Sequence, residues 1–276
     1  MVGSSHMVTF LFWNLNGKSL GTEITALVQE HHVDMLVLSE FAGSPVSLLE
    51  SLNAGNRPKF QFAPGLCERI RIFTRFSSQF LTPTHESNWI SIRRLAMPAR
   101  LEILLVAAHL PSKLYSSEDS QAFECVEFAR TIREQEDKVG HQRTIVVGDL
   151  NMNPFEKGMV SANGLHAVMS RQVASRITRT VKTKEYPFFF NPMWAHLGDR
   201  ADRPPGTHYY DNSEMVNYYW SVLDQVIVRP ALMDRCDGER IRILTRVGDN
   251  SLLTNDGRPD HWKFSDHLPL LFELEL

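Results

Sequence analysis

The amino-acid sequence predicts a mixed α/β domain. Three observations carry this: short β-rich runs recur from end to end, helical periodicity is confined to two stretches, and one of those stretches lies between two strands as a crossover. The predicted strands are Val8–Trp13, Val33–Leu38, Arg69–Phe73, Trp89–Leu95, Leu101–Ala108, Thr144–Val147, Val222–Val228, Ile241–Val247 and Leu268–Leu276. Their β-branched, aromatic and aliphatic side chains fit a pleated, buried surface. Thr22–His32 sets Ile24, Leu27 and Val28 on one helical face, and Ser117–Val139 does the same with Ala122, Val126, Ala129 and Ile132. Ser116 and Asp119 have the spacing of a capping box at the start of the second helix. Strand Leu101–Ala108, this helix and strand Thr144–Val147 form the crossover, while strand pairs without a helix between them imply antiparallel stretches. Ser170–Pro205 reads as an inserted loop region.

Composition removes several classes. The 276 residues are 43% hydrophobic and 22% charged, with 15 Gly and 14 Pro, which excludes collagen, coiled coil and disorder. Residues 7–276 read as one domain, of a size that buries roughly 75% of its unfolded surface. Residues 1–6 read as a purification-tag remnant with Met7 as the native start, so a leader removed in cloning is compatible with the sequence. No apolar run approaches the ~18 residues of a membrane span, and the N-terminus lacks the layout of a signal peptide. The expectation is therefore a cytoplasmic protein, or a nuclear one in a eukaryote. Cys67, Cys125 and Cys236 are odd in number and widely spaced, which argues against a disulfide framework or a cysteine zinc site. With 29 basic against 32 acidic side chains, the net charge of −3 argues against coating nucleic acid by bulk charge.

The informative pattern lies where the apolar strands stop. Asn14 follows the first, Ser39-Glu40 the second, His109 the strand Leu101–Ala108, and Gly148-Asp149-Leu150-Asn151 the strand Thr144–Val147; Ser265-Asp266-His267 precedes the last. An Asn or Asp after a strand is usually a turn former. So many strand ends carrying Asn, Glu, Asp and His point instead to chemistry on a rigid scaffold. Carboxylate and amide oxygens without a thiolate favour a hard divalent cation, Mg²⁺ or Mn²⁺.

Six segments resemble, in order, the signatures of the endonuclease/exonuclease/phosphatase superfamily, the DNase I-like proteins. They are Trp13-Asn14-Leu15-Asn16-Gly17, the Glu40 closing Asp34–Glu40, Ala108-His109-Leu110, Gly148–Pro154, Leu223–Val228 and Ser265-Asp266-His267-Leu268-Pro269. The resemblance implies a four-layered α/β/β/α sandwich of two mixed sheets flanked by helices, with one metal-dependent site at the strand ends. It implies Glu40 as the central Mg²⁺ ligand, with Asn14, Asp149, Asn151 and Asp266 in or near the metal shell. His267 looks like the general base, suited to neutral pH by an ordinary pKa of ~6.5, with Asp224 fixing its tautomer as in a catalytic triad. His109 matches a phosphate-contacting position, Asn151 one that holds the phosphate or the attacking water, and Asp149 one that polarises water or assists the leaving group. Ser39 stands where the family often has Gln, and Ser221-Val222-Leu223-Asp224 where it often has Ser-Arg-Ile-Asp.

Arg171, Arg176, Arg179, Lys182 and Lys184 follow the Asp149 motif in a stretch free of acidic residues, and Arg176, Arg179 and Lys182 are expected to track a nucleic-acid backbone beside the site. A solvated basic loop is the competing reading. Trp194, Tyr209, Tyr210, Tyr218, Tyr219 and Trp220 gather before Asp224, as base-stacking groups or as rim packing. The expected function is a Mg²⁺-dependent phosphodiesterase acting on nucleic acid, with Mn²⁺ as a substitute metal. The alternatives are an inositol-phosphate phosphatase, a sphingomyelinase-like hydrolase acting on a small phosphoester or lipid, and a binding module that has lost turnover.

Overall fold

The computed structural model describes residues 6–55, 59–112, 118–200, 203–213 and 215–276. The chain opens with β1 (Met7–Asn14), α1 (Gly21–Glu30), β2 (Met35–Ser39), α2 (Pro45–Leu52), β3 (Gln61–Ala63), β4 (Ile70–Thr74), β5 (Leu81–Glu86), β6 (Ile90–Leu95) and β7 (Ile103–His109). It continues through α3 (Glu118–Val139), β8 (Thr144–Asp149), α4 (Lys157–Val160), β9 (Ala167–Val168), α5 (Arg171–Ala174), β10 (Thr178–Val181), β11 (Lys184–Pro187) and β12 (Phe189–Phe190). It ends with β13 (His208–Tyr209), β14 (Trp220–Ser221), β15 (Asp224–Val228), β16 (Arg242–Ile243), β17 (Arg246–Val247), β18 (Asn250–Ser251) and β19 (Leu270–Glu275).

Two mixed sheets form the centre: a 6-stranded sheet in the order β16-β19-β1-β2-β4-β3 and a 7-stranded sheet in the order β5-β6-β7-β8-β15-β12-β9. The pair β1 and β2 and the pair β7 and β8 are parallel, each joined through a helix, α1 or α3. Alternation along the strands separates the layers. Leu105, Ala107, Ile145, Val147, Val226 and Val228 join the first sheet in one core, which includes Phe10 stacked on Phe272 with centroids 4.8 Å apart. The intervening Leu104, Val106, Ala108 and Val146 pack instead with Cys125, Phe128, Ala129 and Ile132 of α3. Gly148 is required here, because a Cβ would lie 1.9 Å from the Ala108 carbonyl oxygen on the neighbouring strand. A buried ion pair fastens the α3 end of this layer: the Arg229 guanidinium meets both Glu136 oxygens at 2.8 and 3.0 Å and lies 3.8 Å over the Phe189 ring.

The predicted strands are present with shifted ends, and the shifts have local causes. Val222 and Leu223 do not start β15, because their N–H groups donate to Asn153 Oδ1 and Thr207 Oγ1. The predicted Ile241–Val247 is divided. Arg242–Ile243 pairs with β19, but that strand is preceded by Pro269, which has no N–H to donate, and the chain turns to form the β17–β18 hairpin. Missing from the sequence reading are α2, too short for periodicity to show, and β5, a polar edge strand whose register shifts between Pro83 and His85. The predicted loop region Ser170–Pro205 contains α5, the β10–β11 hairpin and β12. Ser116 and residues 1–5 lie outside the described residues, and no helix among the described ones is long and apolar enough to cross a membrane.

Candidate active site

The site is built where one row of inward-facing side chains turns polar. His109 pairs with Asp149 in the β7–β8 ladder, and Asp149 pairs with Asp224 in the β8–β15 ladder. Each continues the row of Ala107, Val147 and Val226 on the inner face of its strand. Three polar groups thus stand side by side, and all are buried. The first sheet reaches them through Asn14, whose Nδ2 donates to Asp149 Oδ2 at 2.9 Å while its Oδ1 accepts the Asn16 N–H. Ser265 links the last loop to the same place, donating from Oγ to the Asn14 carbonyl at 2.6 Å and accepting the His267 N–H.

His267 and Asp224 form the centre. Nδ1 of His267 lies 2.8 Å from Asp224 Oδ2, and its Nε2 lies 3.9 Å from Asp149 Oδ2. Burial pushes the Asp224 carboxyl up from the ordinary carboxylate range. Burial alone would lower His267, but Asp224, followed by Asp149 and Asp266, holds its imidazole up to about 10. The imidazole thus departs from the ordinary value expected: Asp224 and Asp149 are distant in sequence and adjacent in space, while Asp266 is the residue before it. Burial also works against the charge on Asp266, yet His208 and His267 hold its carboxyl well below the usual range.

Glu40 stands at the edge of this group. Its Oε1 is 3.5 Å from His109 Nε2, which is itself 3.8 Å from Asp149 Oδ2, so His109 connects the two carboxylates. Glu40 has φ 49°, a left-handed conformation costing about 1–2 kcal/mol for a residue of this type, stabilised by bonds from its N–H to the Arg69 carbonyl and from the Gly17 N–H to its own carbonyl. Asn151, at φ 51°, is held by a bond from its N–H to Asp149 Oδ1 and donates one Nδ2 hydrogen to the Leu110 carbonyl, which leaves Oδ1 and the other amide N–H open.

The oxygens of Glu40, Asp149 and Asn151 suit a hard cation, and the Glu40 side chain is 32% exposed, leaving room for the waters that Mg²⁺ retains. The groups of three ligand atoms lying within 4.8 Å of one another are Asp149, Asp224 and His267, and His208, Asp266 and His267, among the described residues. Glu40 belongs to neither; the basic side chains beside it are His109 and Arg69.

Arg176, Arg179 and Lys182 are not brought to this cluster. They lie on or beside the β10–β11 hairpin, whose root is held by Arg229 donating to the Pro187 and Phe188 carbonyls. Arg229 follows Val228, at the opposite end of β15 from Asp224, on the order of 17 Å along the strand. Sequence reasoning missed Arg69, His208, Thr207 and Ser265. Arg69 sits 4.1 Å over the Trp89 ring, with NH1 3.6 Å from Glu40. His208 lies against His267 with ring centroids 4.5 Å apart. Thr207 Oγ1 accepts the Asp224 N–H. The sequence places Ser265 in its family-like Ser265–Pro269 motif but attaches no role to it, nor to Arg69, Thr207 or His208.

Comparison with known proteins agrees with this layout. Residues 11–267 match the sequence profile of the Endonuclease/Exonuclease/phosphatase family. No curated protein matches the chain by sequence. Among solved structures, truncated TDP2 of Caenorhabditis elegans is 15% identical, with 98% of each chain covered and a TM-score of 0.57. The endonuclease domain of TRAS1, a telomere-specific non-LTR retrotransposon, is 15% identical over 98% of this chain and 99% of its own, with a TM-score of 0.53. TDP2 of D. rerio complexed with single strand DNA product is 14% identical over 97% and 98%, with a TM-score of 0.54. At these identities the likeness is one of fold.

Proposed function

The chain belongs to the endonuclease/exonuclease/phosphatase family of phosphoester hydrolases, and we propose that it is a Mg²⁺-dependent phosphodiesterase that cleaves nucleic acid with a water activated by His267. The observation that carries the reading is the buried Asp224–His267 pair, whose uncommitted Nε2 faces Asp149. Asp224 accepts the Nδ1 proton and so keeps the Nε2 lone pair available for a water proton. Asn151 offers Oδ1 and the second N–H of its amide, and so can hold water, cation or a phosphate oxygen. Asn14, bonded at both ends, positions Asp149. His109, between Glu40 and Asp149, is placed to contact the phosphate.

Glu40, Asp149 and Asn151, with Asp266 at the margin, would hold Mg²⁺. When bound, the cation would offset the negative charge of the phosphate and of these carboxylates and so ease proton release from His267. A polymer is favoured by the cationic and aromatic pairs on the rim, Arg69 over Trp89 and Arg258 over Tyr209, together with Tyr218 edge-on to Phe155. The fold shared with the TRAS1 endonuclease domain and a DNA-bound TDP2 supports the same choice.

The deciding experiment is a substrate panel of single- and double-stranded DNA, RNA, phosphoinositides and sphingomyelin, in Mg²⁺, Mn²⁺ or EDTA. Nucleic-acid cleavage that EDTA abolishes and Mg²⁺ restores is expected. Turnover confined to phosphoinositides or sphingomyelin would refute the polymer assignment, and no turnover of any substrate would refute the activity.

A further inference from the structure

His208 has no part in the reaction proposed above, yet it completes a set of metal-binding atoms. Its Nε2 lies 3.7 Å from Asp266 Oδ2. One ligand atom from each of His208, Asp266 and His267 falls within 4.8 Å of the others. A tetrahedral ion with bonds of about 2.0–2.1 Å separates its donors by about 3.3 Å, so the set closes on a metal with movements of about 1.5 Å or less. We propose that His208, Asp266 and His267 form a Zn²⁺ site that shares His267 with the catalytic pair and, when filled, stops hydrolysis.

The backbone prepares the site. His208 forms a bridge with His267, the Leu268 N–H donates to the Thr207 carbonyl at 2.8 Å, and His208 pairs with Ser221 on its other side. The two imidazoles therefore ride on hydrogen-bonded segments of fixed separation. Nδ1 of His267 is bonded to Asp224, so Nε2 is the atom a metal would take in place of a proton, the carboxylate–histidine–metal arrangement found around zinc.

Two imidazoles and one carboxylate form a borderline donor set that selects Zn²⁺ over Mg²⁺, with a fourth position left for water. Glu40, Asp149 and Asn151 offer oxygens alone and select the reverse. The two donor sets meet at His267 Nε2, which lies 3.9 Å from Asp149 Oδ2. Zn²⁺ on Nε2 uses the lone pair that would take the proton from water.

The inhibition arm rests on the proposed function; the binding arm does not. Metal-stripped protein is titrated with Zn²⁺ against a chromophoric chelator, and Co²⁺ substitution is followed by visible absorption. His208→Phe is compared with wild type, and His208→Gln serves as a second variant with a polar side chain. The wild type should bind one more tight equivalent than either variant and show a cobalt band they lack. Both variants should keep near-wild-type turnover in Mg²⁺ alone, with the Zn²⁺ concentration for half-inhibition raised at least about tenfold. Equal zinc stoichiometry and affinity in all three proteins would overturn the site. Zinc bound through His208 without inhibition would overturn the regulation. Absence of turnover in Mg²⁺ together with a zinc equivalent lost in His208→Phe would overturn the proposed activity and uphold the metal site.

Discussion

Replacing Asp224 by Asn changes one charge and almost no volume at the centre of the proposed chemistry. The carboxylate is fully buried, and Oδ2 holds His267 Nδ1 at 2.8 Å. An amide can face the ring in two ways. With its oxygen toward Nδ1 the tautomer survives and a charge-assisted bond becomes a neutral one, a loss of about 1–1.5 kcal/mol, or about five- to thirteenfold in rate. With its nitrogen toward Nδ1 the proton moves to Nε2 and the base is gone, and the corresponding change in a Ser-His-Asp triad costs about 10⁴ in kcat. A single-turnover rate on a small phosphodiester in Mg²⁺ should therefore fall between about 5-fold and 10⁴-fold. Stability should move much less. Because its folded pKa is raised, Asp224 costs stability wherever it stays ionised, and the amide removes that cost. In the opposite direction, the raised His267 contributes stability that is complete below 6.5 and lost as pH rises through about 10, and Asn removes the carboxylate that most raises it. At pH 7.5 these contributions oppose one another, so melting follows the substitution less directly than the rate does. A rate within twofold of wild type, with melting unchanged, would refute the role of the pair.

Glu40→Gln keeps the shape of the side chain and removes its charge; turnover in Mg²⁺ should drop at least about 100-fold with an unchanged melting curve, and near-wild-type activity would remove Glu40 from the site. Glu136→Ala strands the buried Arg229 guanidinium, so a loss of about 3–5 kcal/mol is expected, seen by calorimetry as a fall of about 6–20 °C, whereas Glu136→Met with Arg229→Met should recover most of it. A loss below about 1 kcal/mol in the single variant would show the pair to be unimportant. Glu86 sits against burial, which raises its pKa, yet the Leu66 N–H, Ser91 and Arg93 together hold it below the ordinary 4.5. Its contribution to stability is therefore complete above that value and lost as pH falls through the lowered one, so a Tm series from pH 7 to 3 should bring wild type and Glu86→Gln together at the acid end; a constant gap would contradict this.

The site was legible where its chemistry follows strand alternation. Asp149 and Asp224 extend inner-face rows whose apolar members are visible in the sequence, and His109 ends a run that could only be a buried strand. Residues that act across the fold left no such mark. Arg69 gains meaning from Trp89 and Glu40, and His208 from Asp266 and His267; these neighbours are brought together by sheet pairing rather than by spacing along the chain. The charge state of His267 was hidden for the same reason, since it depends on acids contributed by three separate segments.

The basic stretch after Asp149 shows how strand direction overrules proximity in sequence. β15 begins at the site with Asp224 and ends at Val228; β12 runs antiparallel to it, and β9 runs parallel to β12. Phe189, the first residue of β12, therefore enters the sheet from the Val228 side, and the hairpin immediately before it must leave the fold there too. Arg176, Arg179 and Lys182 are carried to the end opposite the carboxylates by the same pairing that places Asp149 beside Asp224. The cation that does stand beside the carboxylates is Arg69. Its guanidinium is 41% exposed, stacked on Trp89 and 3.6 Å from Glu40. A net charge of −3 is compatible with such an arrangement, because recognition of a phosphodiester at this site needs a few fixed cations close to the scissile bond and no basic surface elsewhere.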